Sequence, residues 1–221
     1  MSTKNIWLFI LPTDSLQGSE RIVKSFASFI YKRGDFCRVI ILTKKRSKGW
    51  HDLEERMDIS YLPFSRYFFG AFALIPYLLL KNYRDVNYTF SSQSIINGTI
   101  GLAKKLALIK AKIILRESNS IFNLLRGYKL IIYSFFYNLG YKSSSLVITQ
   151  TDFMKVRLME SLPKLFEKLN VETISNPFNF DDIEQRSGCI ASKFENKNFL
   201  VAAGRLAHAK GFDLLIDAFN Q

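Results

Sequence analysis

Hydrophobic positions follow a repeating order along this chain: a short continuous apolar run, a polar turn, then an amphipathic stretch. Ile6 to Leu11 is the first such run, and its unbroken apolar character predicts a strand covered on both faces. Pro12-Thr13-Asp14 ends it, and the polar segment Ser15 to Ser19 leads into a predicted helix from about Glu20 to Arg33. Ile22, Phe26, Phe29 and Ile30 recur there on one face, and Gly34 is placed to terminate the helix. Further strands are expected at Arg38 to Leu42, Ile59 to Leu62, Val86 to Phe90, Ile113 to Leu115, Leu146 to Ile148 and Val171 to Ile174. Helices are expected between most of them, over Arg66 to Tyr83, Ser94 to Leu108, Ser120 to Leu139 and Asp152 to Leu169. This alternation specifies an α/β protein built on a doubly wound parallel sheet.

The rhythm changes after Ile174. Ser175-Asn176-Pro177 reads as a turn, and Phe178 to Asn196 is polar without a sustained period, so it reads as a connector. Phe199 to Ala203 predicts a new strand and Gly204-Arg205 its turn. Lys210-Gly211 opens a helix whose apolar face is Leu214, Leu215, Ala218 and Phe219. One strand and one helix cannot bury their own apolar surface. The expected organisation is a first domain over 1–177, a connector over 178–197 and the incomplete start of a second domain over 198–221.

Charge narrows the partners. Lys and Arg number 31 against 19 Asp and Glu, a net charge of +12. That excess suits an anionic partner, whether a membrane surface or a phosphorylated substrate, and a solvated basic surface is the plain alternative. Nucleic acid is not expected, since the chain shows no RNA-binding aromatic motif, zinc-finger spacing or recognition helix. Cys37 and Cys189 stand far apart with no C-x-x-C, which fits a reducing cytoplasm, and the sequons at Asn87 and Asn97 then read as chance. Tyr67 to Leu80 is the most hydrophobic run, but it falls short of the ~18 residues of a spanning helix. It reads as a core helix, or alternatively as a helix lying in a membrane interface, and the aromatic and basic stretch Ile121 to Lys142 has the same character.

Two places join a strand end, a glycine and a helix start, where open α/β sheets bind phosphate. At the first, Gln17-Gly18-Ser19-Glu20-Arg21, Gly18 would let backbone approach a ligand and Ser19 would cap the helix. A helix start with no ligand is the other reading, and the absence of G-x-G-x-x-G gives a nicotinamide site little support. At the second, Arg205 and Lys210 straddle a strand-to-helix loop and are placed to converge on one diphosphate, although two solvated loop cations would look the same.

These residues resemble those of the family 4 glycosyltransferases of the GT-B fold, which build bacterial glycans from nucleotide-sugars. Gly18-Ser19-Glu20-Arg21 and Tyr31-Lys32-Arg33-Gly34 resemble the family's G-G-x-E-R helix and its K-R-G end. Leu146 to Thr151 resembles the strand before its V-x-x-S-E turn, and Ile174-Ser175-Asn176-Pro177 its I-x-N-P interdomain turn. Gly204-Arg205-Leu206 and Lys210-Gly211, followed by Asp213-Leu214-Leu215-Ile216-Asp217-Ala218-Phe219, resemble the opening of its C-terminal domain, and this stretch is the most specific. The chain departs from the pattern at Ser19, where the family has a second glycine. It departs again at Arg116-Glu117-Ser118-Asn119, where many members carry a histidine; neither His51 nor His208 falls in that place.

The resemblance implies two Rossmann-like domains, an acceptor side over 1–177 and a truncated donor side after it. It implies that Gly18 and Ser19 lie near the donor phosphate and that Arg205 and Lys210 bind the donor diphosphate. It also implies a retaining, metal-independent transfer with no cofactor and a nucleotide-sugar as substrate. No catalytic residue follows; Glu117 is the one candidate, as base or acceptor ligand, against a structural carboxylate paired with Arg116. The expected function is the N-terminal part of a glycosyltransferase for cell-surface polysaccharide, with a lipid-linked glycan acceptor, at the cytoplasmic face of the plasma membrane. The family's nucleotide-base pocket and E-x7-E pair lie beyond Gln221, so this chain alone is expected to be inactive. The alternatives are a non-catalytic subunit that anchors a separate catalytic chain at the membrane, with Ala207 to Gln221 in the contact, and another phospho-ligand-binding α/β protein.

Overall fold

The structure is a computed structural model that describes residues 4–118, 127–178, 180–187, 198–204, 206 and 208–220. Among the described residues, seven strands form one all-parallel sheet: β1 (Ile6–Leu11), β2 (Phe36–Ile41), β3 (Asp58–Tyr61), β4 (Tyr88–Ser91), β5 (Lys112–Arg116), β6 (Leu146–Thr149) and β7 (Val171–Thr173). Their order is β3-β2-β1-β4-β5-β6-β7, with Phe9 of β1 registered against Val39 on one side and Phe90 on the other. The continuous apolar run of β1 is explained by its place at the centre. Trp7, Phe9 and Leu11 face one helical layer while Leu8 and Ile10 face the other, so both faces are buried.

The first layer is α1 (Gly18–Lys32), whose buried stripe runs through Val23, Ala27 and Ile30. Phe29, expected on that stripe, is 54% exposed and lies under the Arg33 guanidinium instead. Gly34 ends the helix as expected, with φ +94 and its N–H donating to Tyr31 O at 2.9 Å. The second layer holds α2 (Tyr67–Lys81), α3 (Ser94–Lys105) and α4 (Tyr128–Gly140). Here α3 and α4 cross on glycine: a Cβ on Gly101 would fall inside the backbone of Gly140, and one on Gly140 would strike Gly98. Among the described residues no helix is long and apolar enough to cross a membrane.

Three expectations need correction. The helix foreseen over Asp152 to Leu169 is two, α5 (Asp152–Ser161) and α6 (Pro163–Phe166), because Pro163 drives Leu162 out of the helical region (φ −138, ψ 61). The connector foreseen from Phe178 contains the helix α7 (Phe180–Ser187), whose two turns are too short to show a period. Residues 199–203 form no strand. An apolar run sets what is to be buried, but a strand exists only where its backbone groups meet a neighbouring ladder. The start of the helix foreseen from Ser120 lies outside the described residues.

The chain divides into two compact units, Met1–Pro177 and Phe178–Gln221. The first contains the sheet with its two helical layers. The second contains α7, a 3₁₀ turn at His208–Lys210 and α8 (Phe212–Phe219), on which Leu214, Ile216 and Phe219 are exposed.

Candidate functional site

In open α/β sheets ligands bind outside the carboxyl ends of the strands, at the point where the strand order reverses. The sequence runs outward from β1 in one direction to β2 and β3, and in the other from β4 onward, so the switch point lies between β1 and β4. At their carboxyl ends α1 and α3 begin, on opposite faces of the sheet. Gly18 is the first residue of α1 and is exposed, with open space where a side chain would stand. Ser19 does not cap the helix: Gln17 is the N-cap residue, and the Ser19 hydroxyl donates to Glu20 Oε2 at 2.9 Å. Below this turn the buried Asp14 carboxylate accepts the N–H groups of Arg46 at 2.8 Å and Ser47 at 2.6 Å, tying the loop after β1 to the loop after β2. On the other flank Ser92 and Gln93 lead into α3, and the Gln93 side chain accepts the Ile96 N–H at 3.0 Å. The capping side chain is Gln93, a residue type outside the usual Ser, Thr, Asp and Asn, while the hydroxyls of Ser91, Ser92 and Ser94 bond Asn97, Arg116 and Tyr137.

Glu117 follows β5, but its carboxylate turns into the helical layer. Tyr137 donates to Oε2 at 2.6 Å and Tyr141 donates to Oε1. Tyr141 in turn accepts from Asn97 Nδ2 at 2.7 Å, and Asn97 Oδ1 accepts from the Ser91 hydroxyl. Burial pushes the Glu117 carboxyl up to about 7, against the lowering effect of the two phenols and of Arg116. Burial, and then the neighbouring Glu117 charge, pushes both tyrosines well above their ordinary range. The foreseen structural pairing with Arg116 is replaced by this tyrosine clamp. Arg116 points elsewhere, donating to Ser92 Oγ at 2.7 Å and Asn176 Oδ1 at 2.5 Å. Both carboxylate oxygens are occupied and the group is closed from solvent, the surroundings of a structural carboxylate. Tyr137 and Tyr141 stand at i, i+4 spacing, a signal that the general abundance of aromatics concealed. Asn97 is buried in this network and Asn87 Oδ1 accepts the Ile6 N–H at 2.8 Å, so both sequon asparagines serve the fold.

In the second unit Lys210 is exposed at the end of its 3₁₀ turn. Gly211 follows with φ +64, which places a left-handed residue at the N-terminus of α8. Gly204 lies close by: a Cβ there would sit 3.3 Å from the Phe212 ring and 3.8 Å from Lys210 Cδ. Arg205 lies outside the described residues. Gly18 and Ser19 therefore belong to the first unit and Lys210 to the second. A cavity of about 410 Å³ bounded by Ile6, Tyr31, Phe36, Cys37, Arg38, Arg56 and Asp58 opens at the opposite, amino edge of the sheet. Its Cys37 thiol is pushed up to about 12 by burial, which makes it inert at neutral pH.

No protein-family model matches the chain, and no curated protein matches it by sequence. Its fold does match solved structures. HepE of Anabaena, solved in complex with UDP, superposes with a TM-score of 0.68 at 16% identity, over 97% of this chain and 57% of that one. A glycosyltransferase of Rickettsia africae gives 0.60 at 17% identity, over 98% of this chain and 57% of its own. Arabidopsis thaliana UGT89C1, complexed with UDP-L-rhamnose, gives 0.58 at 14% identity, over 86% and 57%. The chain thus spans a little over half the length of each of these proteins. Its seven-stranded parallel sheet has the Rossmann-like fold of GT-B glycosyltransferase domains.

Proposed function

We propose that the chain is the acceptor-side portion of a family 4 glycosyltransferase, which moves a sugar from a nucleotide-sugar to a lipid-linked glycan in cell-surface polysaccharide synthesis. The observation that carries this reading is the fold, which superposes over 97% of the chain on a protein solved with UDP. In this reading Gly18 and Ser19 lie beside the donor phosphate, where the first-turn amides of α1 favour an anion. Arg205 and Lys210 hold the diphosphate, and their charge stabilises the nucleoside diphosphate as the sugar bond breaks. The transfer retains configuration and draws on electrostatics, with no metal and no proton-transfer role for Glu117.

The chain spans 57% of HepE, and in this reading turnover needs a complete donor-side domain. The test is a sugar-transfer assay with a nucleotide-sugar and a lipid-linked acceptor, run on the chain alone and on a version completed with a donor domain. Transfer, or tight UDP binding by calorimetry, from the chain alone overturns the proposed division. Silence from the completed protein overturns the assignment.

A second reading makes the chain a non-catalytic membrane anchor, and one observation favours it. On the layer formed by α2, α3 and α4, the outward faces of α2 and α4 expose Phe69, Phe72, Leu80, Ile131 and Phe135, beside the exposed cations Arg66, Lys81 and Lys129. Large apolar groups rimmed by cations suit an anionic bilayer surface, here the cytoplasmic leaflet. Both readings expect flotation with anionic vesicles, and only the transferase reading expects UDP-dependent transfer from the completed protein.

A further inference from the structure

The carboxyl edge of the sheet holds a chain of polar side chains that the proposed transfer does not use. Arg116, only 4% exposed, reaches Ser92 Oγ with Nη1 and Asn176 Oδ1 with Nη2, at 2.7 and 2.5 Å. Asn176 Nδ2 donates to Gln150 Oε1 at 3.1 Å, and Gln150 Nε2 donates to the Glu117 carbonyl at 3.1 Å. The Ser118 hydroxyl closes the set by donating to the Ser92 carbonyl at 3.0 Å. Side chains thereby tie together the segments leaving β4, β5, β6 and β7, in addition to the backbone bonds Glu117 N–H to Ile148 O and Ile174 N–H to Thr149 O.

The two ends of this chain differ in what they hold. Ser92 is the first residue after β4, on the flank of the switch-point crevice. Asn176 is the last residue before Pro177, where the first unit ends. Both hydrogen-bond acceptors of the buried guanidinium are neutral oxygens, and burial lowers its pKa against the raising effect of the neighbouring Glu117 charge. A planar guanidinium holds its two acceptors at one separation, so a shift of Ser92 is passed on to Asn176. Lysine, a point charge on a flexible stem, cannot do this.

We propose that Arg116 is a positioning residue that couples the crevice between β1 and β4 to the turn by which the chain leaves the sheet. The coupling acts in both directions, as any linkage must. It does not depend on the transferase reading, since every bond in it lies within the first unit.

Hydrogen–deuterium exchange on the full chain tests it. Two amides serve as reporters: Ile174, which donates to Thr149 O at 2.8 Å, and Ile96 in the first turn of α3, which donates to Gln93 Oε1 at 3.0 Å. Asn176→Ala is expected to speed exchange at Ile174 about tenfold, the scale of one lost hydrogen bond to a charged group. It is also expected to speed exchange at Ile96, on the far side of Arg116. Arg116→Lys should do the same at both amides, and Asn176→Asp, which still accepts from the guanidinium, should keep both protected. Should Arg116→Lys fail to fold, the two Asn176 variants decide alone. The proposal is overturned if Asn176→Ala leaves Ile174 unchanged, if its effect stops at Ile174, or if the amides of β1 accelerate equally and mark a general loss of stability.

Discussion

The hydroxyl of Tyr137 donates to the carboxylate of Glu117 at 2.6 Å, in a pocket closed to solvent, and Tyr141 occupies the second carboxylate oxygen. The folded carboxyl titrates near 7, well above its ordinary 4.5, because burial outweighs the two phenol hydrogen bonds. The folded state thus binds the proton more tightly than the unfolded chain does. The stability that Glu117 contributes is full below about pH 4.5 and is lost as pH rises through about 7. Denaturant midpoints taken from pH 4.5 to 8 should fall more steeply for the native sequence than for Glu117→Gln. Parallel profiles would refute this account.

Tyr141→Phe removes the donor to Glu117 and leaves Asn97 Nδ2 without its acceptor. Unsatisfied buried polar groups cost about 1–3 kcal/mol each, so urea unfolding should show a loss of that order. The same variant should move the Glu117 titration further upward, because a bond that favours the charged form is gone.

Two glycines should respond to alanine in opposite ways. At Gly101 the new methyl would enter the backbone of Gly140, so α3 and α4 must separate, at a cost of about 3 kcal/mol or more. At Gly18 a methyl meets open space in the first turn of a helix, and stability should be unchanged or higher by up to about 1 kcal/mol. Thermal unfolding of the two variants separates these outcomes. If Gly18 borders the donor phosphate, its variant should weaken UDP binding in the completed protein despite the intact fold.

Phe69 and Phe72 are 56% and 57% exposed on α2, so replacing both with Ser should leave the unfolding temperature nearly unchanged. If that face meets a bilayer, vesicle affinity should drop roughly tenfold or more, since each large apolar group contributes about 1.5–3 kcal/mol when fully buried. Flotation with vesicles containing phosphatidylserine checks this. Equal flotation of variant and native chain would remove α2 from the membrane contact.

The sheet was readable because its strands are covered on both faces. Runs such as Ile6 to Leu11 and Ile113 to Leu115 are apolar at every position, and the polar breaks between them are sharp. The strand at 199–203 failed on the same signal, since apolarity does not supply a ladder to join. The helix start at Gly18 was legible from the polar turn before it, but Ser19 lies inside the first turn and bonds Glu20, while Gln17 holds the N-cap position without a side-chain capping bond. The partners of Glu117 and Arg116 were not legible. Tyr137 and Asn176 lie 20 and 60 residues from them, and only the packed fold brings them together.

The central place of β1 bears on the order in which the chain can fold. Ile10 is registered against Ile40 on one side and Ser91 on the other, so β1, made before either neighbour, gains the second only after β4 has been synthesised. Until then one edge of a wholly apolar strand is open on the ribosome, as long-range parallel pairing requires. Conditions that slow synthesis between Ile41 and Tyr88 lengthen that interval, and aggregation of the nascent chain should rise with it.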